Sequence, residues 1–362
     1  MIPRRDFVPT LQVPARAVAT FATSATFALA MACAGGTLGV QVQAQAPAAK
    51  SPPAATPAPA AAVAPASGQP AAAEYDPTVS RVPKSSARTD GVRTLLWRVK
   101  SKDGRNTLYL FGTIHVGKPS FYPFPATVET ALTAASKIVV EADVTDQSDA
   151  AEIGRLVDFP KGDSIEKHIS PELLVRLRAQ LDKRKIAYAN VATMRPVILG
   201  GMLPIVEYVK LGYDMASGLD MALITRAKAE KKTLLQLETP LEQVKLMTSM
   251  STGLQEAFLD NSLLTIEQGR SADQVTGMVN AWQLGDPKLM LELADDAARG
   301  QRETERLNQI LLWDRHPAML EKIESYLASG DIHFVSLGSL HLVGPKGLVS
   351  LLAKRGYKIE QL

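Results

Sequence analysis

Two stretches decide how this chain reads: Leu108–Gly117, "LYLFGTIHVG", and Phe334–Gly344, "FVSLGSLHLVG". Each is an apolar strand-like run that breaks at a glycine, Gly112 or Gly338. A hydroxyl residue follows (Thr113, Ser339), then an aliphatic one, then a histidine, His115 or His341, with another glycine shortly after. With 24 glycines and 5 histidines in 362 residues, chance supplies less than one Gly-x-x-His. Three occur, because Gly330 and His333 also fit, but that one precedes its strand, and His333 reads as an ordinary loop or edge residue.

Working outward, "LLWRVKS" and the first stretch flank "KDGR", so they form a β-hairpin with Asp103-Gly104 as its turn. "FPATVETALTAASK" is helical, with Val128, Leu132 and Ala135 on one face, and "KIVVEAD" is a short buried strand ending in acids. "SPELLVRLRAQLDKR" opens on a Ser cap with proline at the first helical position. "GLDMALITRAKAEKK" is a helix feeding the strand "TLLQLE", and residues 240–328 are helical, cut near 285–287. After the second histidine come the helix "GPKGLVSLLAKRG" and the strand "YKIEQL". The expected fold is α/β: a central mixed sheet flanked by helices. The unit β-(Gly-x-x-His)-α-β occurs at 107–143 and again at 333–362, which reads as an internal duplication with a long helical insertion in one half.

Residues 1–44 read as an export signal: Arg4, Arg5 and Arg16 precede an Ala-rich apolar run, with a small-residue exit at "VQAQA" and cleavage after Ala44. "PRRDFV" hints at twin-arginine export, so Sec and twin-arginine routes both stay open. Cys33, the only cysteine, lies inside this signal, and its "LAMAC" context lacks the usual aliphatic residue of a lipoprotein box at Ala30. Membrane attachment is expected only through an uncleaved or lipidated N-terminus. Removal of the signal leaves no thiol, which excludes disulfides, thiolate nucleophiles and cysteine zinc sites from the mature chain. Residues 45–91, rich in Ala and Pro, read as a disordered linker because such tracts bury too little apolar surface to offset ordering entropy. The folded domain is then 92–362, exported to the periplasm or beyond. A net charge of +3 without a basic run gives no sign of a nucleic-acid partner.

"GTIHVGK" at Gly112–Lys118 has the frame of a phosphate-binding loop, but Pro119 offers neither the hydroxyl nor the N–H that such a loop needs next. Ser339 beside His341 lacks a Gly-x-Ser-x-Gly elbow, and no His-Glu-x-x-His is present. Neutral imidazoles at strand ends, joined by a strand-end carboxylate, can instead hold a divalent ion with an open position for water. The carboxylates so placed are Glu141 and Glu238, since open α/β sheets collect ligands at the carboxyl ends of their strands. Gly112 and Gly338 would let a substrate or cofactor approach closely. Each histidine could equally just cap its strand, and Glu238 could cap the helix after it. Asp143, Asp220 and Arg195 are further candidates, and Phe121, Tyr122 and Phe124 either wall a cleft or pack beneath the loop.

Together "LYLFGTIHVGKPSFYPFP", "IVVEAD", "GLDMAL", "KTLLQLETPLEQ" and "FVSLGSLHLVGPKGLVSLLAKRGYKIEQL" resemble the TraB/GumN family, over 95–362. That family is similar to Tiki-type metal-dependent proteases, whose signature is two Gly-x-x-His motifs and a glutamate. The resemblance implies a metal-dependent hydrolase, most readily a peptidase acting on a peptide or small molecule. His115, His341 and Glu141 would be its metal ligands, Glu141 acting alternatively as general base, with manganese, cobalt or zinc bound. The competing expectations are a non-catalytic periplasmic binder of peptide, haem or metal, and an accessory factor in polysaccharide export.

Overall fold

The computed structural model describes residues 93–298 and 301–362. The export-signal and linker readings, 1–44 and 45–91, lie outside the described residues. Six strands form one mixed sheet: β1 (Leu96–Lys100), β2 (Thr107–Thr113), β3 (Lys137–Val140), β4 (Thr233–Gln236), β5 (His333–Gly338) and β6 (Lys358–Gln361), in the order β4-β3-β5-β2-β1-β6. The four strands β4, β3, β5 and β2 are mutually parallel, while β1 runs antiparallel to both β2 and β6. With helices around this sheet, the architecture is the expected α/β fold.

The hairpin forms as read, with Lys100 opposite Thr107 and Asp103-Gly104 at the tip of a six-residue connection rather than making a two-residue turn. Gly104 has φ +79°, a conformation that costs a residue with a Cβ. Ser170 precedes the helix Pro171–Lys183 but makes no side-chain cap; its own N–H donates to Glu256. Thr239 caps the helix Pro240–Thr248 through a reciprocal capping box with Glu242, which frees Glu238 for another role.

Every residue of β5 is buried, as a central parallel strand covered on both faces requires. Phe334 on it meets Phe111 of β2 at 5.5 Å between ring centres, and Phe111 also contacts Phe124 and Trp282. His333 is therefore no edge residue: it opens the central strand, 1% exposed, stacked on Tyr326 with Nδ1 on the carbonyl of Asp331. The two strand–helix–strand units are both present. From β2 the chain crosses β5 to reach β3, and from β5 it crosses β2 and β1 to reach β6, in the opposite direction. What matters for function is that β2 and β5 are direct neighbours, with Thr113 opposite Gly338. Two motifs more than 200 residues apart thus end side by side at the carboxyl ends of neighbouring interior strands.

Candidate functional site

The first histidine is placed by a backbone staple. Beyond β2, Gly117 and Asp214 exchange two backbone hydrogen bonds, and the Leu219 amide donates to the carbonyl of Ile114. The approach is close: a Cβ on Gly117 would lie 1.9 Å from the Ser217 carbonyl oxygen, and one on Gly218 2.2 Å from that of His115. This contact brings the helix Leu219–Ala229 in with Asp220 in its first turn. Asp220 Oδ2 lies 2.6 Å from His115 Nδ1, and Oδ1 accepts from the Thr113 hydroxyl at 2.8 Å. Burial opposes charging of His115, but the carboxylates of Asp220 and Glu141 outweigh it and raise the imidazole pKa. Its Nε2 is buried and has no hydrogen-bond partner.

The second histidine follows β5 on a single helical turn, Ser339–Leu342, and the glutamate stands one residue past β3. Glu141 Oε2 accepts from the Gly338 amide at 2.9 Å. A Cβ on Gly338 would lie 3.2 Å from His115 Nε2, 3.4 Å from Glu141 Oε2 and 3.6 Å from His341 Cδ2. The three side chains thus converge on the bare face of one glycine. Gly112 does not share this role: a Cβ there would meet Ser339 Oγ and Leu95, so its bareness serves strand packing.

Arg315, at the start of the helix His316–Ala328, fills the rest of the cluster. Its Nη2 donates to Glu141 Oε1 at 2.5 Å and also to Glu238, and its Nε lies 3.0 Å from both oxygens of Glu238. Its Nη1 donates to the Leu311 carbonyl at 2.8 Å and to His341 Nε2 at 3.1 Å. Gln243 bridges the two glutamates through Nε2. Burial would push the Glu141 carboxyl up, but Arg315, then His341, His115 and the Gly338 amide, hold it far below the usual carboxylate range.

From His341 the hydrogen bonds continue. Its Nδ1 lies 3.0 Å from His316 Nε2, and His316 Nδ1 lies 2.9 Å from the carbonyl of Lys346. A guanidinium can only donate and a carbonyl can only accept, so the polarity is fixed at both ends. His341 carries its proton on Nδ1 and gives it to His316, which gives its own Nδ1 proton to Lys346. Desolvation, with the Arg315 charge beside them, keeps both imidazoles neutral, His316 at about 4 and His341 well below its ordinary value. A cleft of about 1110 Å³ lies beyond this relay, walled by Trp313, Gly344 and Lys346 among others, and by none of the convergent side chains.

Other candidates are placed elsewhere. Asp143 binds the amide and hydroxyl of Thr145 as a turn, and Arg195 donates to the Leu156 carbonyl with its guanidinium over Phe159. Ser339 spends its hydroxyl on the Thr113 carbonyl. Phe121 and Phe124 are buried in the core, and the Tyr122 hydroxyl donates to the Ser217 carbonyl, so the aromatic run packs under the loop. Glu238 joins the cluster through Arg315. Sequence reasoning passed over Arg315, His316, Gln243 and Trp282, whose indole N–H donates to the Gly112 carbonyl at 2.9 Å. The available signal was "DRHP": a basic residue beside one of five histidines, ahead of a helix-starting proline.

Among the described residues, no group of three or more imidazoles, thiols or carboxylates is placed to hold a metal ion. Two donors do fit one. His115 offers a buried free Nε2 with its Nδ1 held by a carboxylate, the usual outer-shell arrangement of a histidine ligand, and Glu141 Oε2 faces the same bare side of Gly338. His341, expected as the third ligand, has its Nε2 3.1 Å from Arg315 Nη1, which donates to it.

The sequence profile of the TraB/PrgY/gumN family matches residues 95–361. YbaP of Escherichia coli (strain K12) is 25% identical over 250 residues, 69% of this chain and 89% of YbaP. A protein named Metalloprotease TIKI1 from Danio rerio is 20% identical over 334 residues, covering 80% of this chain and 67% of its own. A Metalloprotease TIKI homolog from Nematostella vectensis is 23% identical over 316 residues, 74% of this chain and 66% of that relative. No solved structure matches.

Proposed function

We propose that this chain, which belongs to the TraB/PrgY/gumN family, is an exported metal-dependent hydrolase acting on peptides. The observation that carries the reading is the convergence of His115 Nε2 and Glu141 Oε2 on the Cβ-free face of Gly338. Two relatives that bear the name metalloprotease support it. A divalent ion such as manganese, cobalt or zinc, held by His115 and Glu141, would polarise a peptide carbonyl and lower the pKa of a bound water. Asp220 fixes the ring of His115 with Nε2 facing inward. Arg315 keeps Glu141 ionised, and Gly338 leaves the space into which a scissile group enters. The His115 side chain retains 17% of its surface against 1% for His341, so the cluster lies nearer to solvent on the His115 side. Export is part of the proposal and rests on the signal-like composition of residues 1–44. No helix among the described residues is long and apolar enough to cross a membrane.

The test is a peptidase screen with manganese, cobalt or zinc added, on wild type, His115→Ala and Glu141→Ala. Activity is expected in the wild type alone and is expected to vanish with chelator. Equal rates in all three proteins would end the reading.

A further inference from the structure

We propose that Arg315 withholds His341 from the cation site, so that the two Gly-x-x-His motifs do different work. His115 is the ligand, and His341 is a hydrogen-bonded strut. The inference rests on the metal reading above and departs from it by making the two histidines unequal.

The geometry is specific. The five N–H groups of Arg315 are all spent: one from Nε on Glu238, two from Nη1 on Leu311 and His341, two from Nη2 on Glu141 and Glu238. A buried guanidinium with every donor satisfied and two carboxylates against it has no better place to go. A neutral imidazole has one in-plane lone pair, and that of His341 points from Nε2 at Arg315 Nη1, 3.1 Å away. Turning the ring over does not free it. Nδ1 is committed to His316, and His316 to the Lys346 carbonyl, so a flip would break two further hydrogen bonds in a buried site. His115 has no such partner on Nε2. Removing the guanidinium would release both the His341 lone pair and Glu141 Oε1 toward the same space.

The experiment is a zinc titration of the full chain, followed by calorimetry and by nitrogen-15 spectra of the imidazoles. Before zinc is added, His341 should show a protonated Nδ1 and a bare, hydrogen-bonded Nε2; the opposite tautomer would overturn the proposal. On titration the wild type should shift His115 Nε2 and leave His341 in place. His115→Ala should lose about tenfold or more in zinc affinity, as loss of a ligand or its outer shell does, and His341→Gln should stay within about threefold of wild type. Arg315→Met should bind zinc more tightly and should now shift His341 as well. Arg315→Lys, which keeps the charge but cannot span all four partners, gives the same comparison if the Met variant fails to fold. Joint movement of both histidines in the wild type, or equal losses in His115→Ala and His341→Gln, would overturn the proposal. Absence of zinc binding in every protein, Arg315 variants included, would overturn the metal reading beneath it.

Discussion

His115 Nδ1 stands 2.6 Å from Asp220 Oδ2, across 105 residues of chain, and this pair sets which ring nitrogen faces the cluster. The carboxylate holds the proton on Nδ1, so Nε2 presents a lone pair toward Glu141 and Gly338.

Replacing Asp220 by Asn keeps the shape and removes the charge that raises the basicity of His115. Zinc affinity and hydrolytic rate are expected to fall by about 10- to 100-fold, with the thermal midpoint little changed. Calorimetric titration and steady-state kinetics measure this. Wild-type affinity in Asp220→Asn would show that the pair is only structural.

Gly338 tests the cradle itself. Its φ of −48° and ψ of 131° suit alanine, so Gly338→Ala carries no backbone strain. The added methyl would sit 3.2 Å from His115 Nε2 and 3.4 Å from Glu141 Oε2, where a bound group must go. We expect a folded protein with less than about a tenth of the wild-type activity, because a misplacement of an ångström can cost two orders of magnitude. Full activity in a folded Gly338→Ala protein would place the reaction elsewhere.

Stability should fall in acid in a window set by the relay. His316 has a folded pKa of about 4 against an ordinary value of 6.5, and His341 is depressed as well. The unfolded chain therefore binds more protons below 6.5, and stability present above that pH is lost as pH falls toward 4. For His316 alone the full loss is about 3 kcal/mol. His115 is raised, so its contribution is complete below 6.5 and declines only above it, while that of Glu141 is lost only at still lower pH. Urea unfolding at pH 7.5 and 5.0 should show the drop, and His316→Gln should flatten it. Parallel slopes in the two proteins would refute the assignment.

Trp282 ties the helical insertion to β2 through one buried hydrogen bond to Gly112. Trp282→Phe keeps the ring contacts with Phe111 and Phe121 but leaves that carbonyl bare, at a cost of about 1–3 kcal/mol. Chemical denaturation reads the difference; an unchanged midpoint would mean water replaces the indole N–H.

Local patterns carried much of this molecule. The hairpin, the apolar run of β5, the helix after Gly218 and the strand ends bearing Glu141 and Glu238 follow from short-range spacing, because turns, caps and periodicity act over a few residues. Strand order was not legible: nothing in "KIVVE" says that β5 lies between it and β2. Nor was the partner of either glutamate. Arg315 looks like an ordinary charged residue at a helix start, and its burial makes sense only once three acceptors from three distant segments surround it.

By itself the sequence determined that two glycine–histidine strand ends and two strand-end acids exist on an α/β scaffold, since each is a property of a contiguous segment. The tertiary structure alone decided how they differ. Parallel pairing of β2 with β5 brought the histidines together, the staple at Gly117 delivered Asp220 to one of them, and the insertion delivered Arg315 to the other. The physical reason is that a hydrogen-bonding lone pair is assigned by whichever group arrives in space. Two identical motifs therefore left the sequence as equals and became an open donor at His115 and an occupied one at His341.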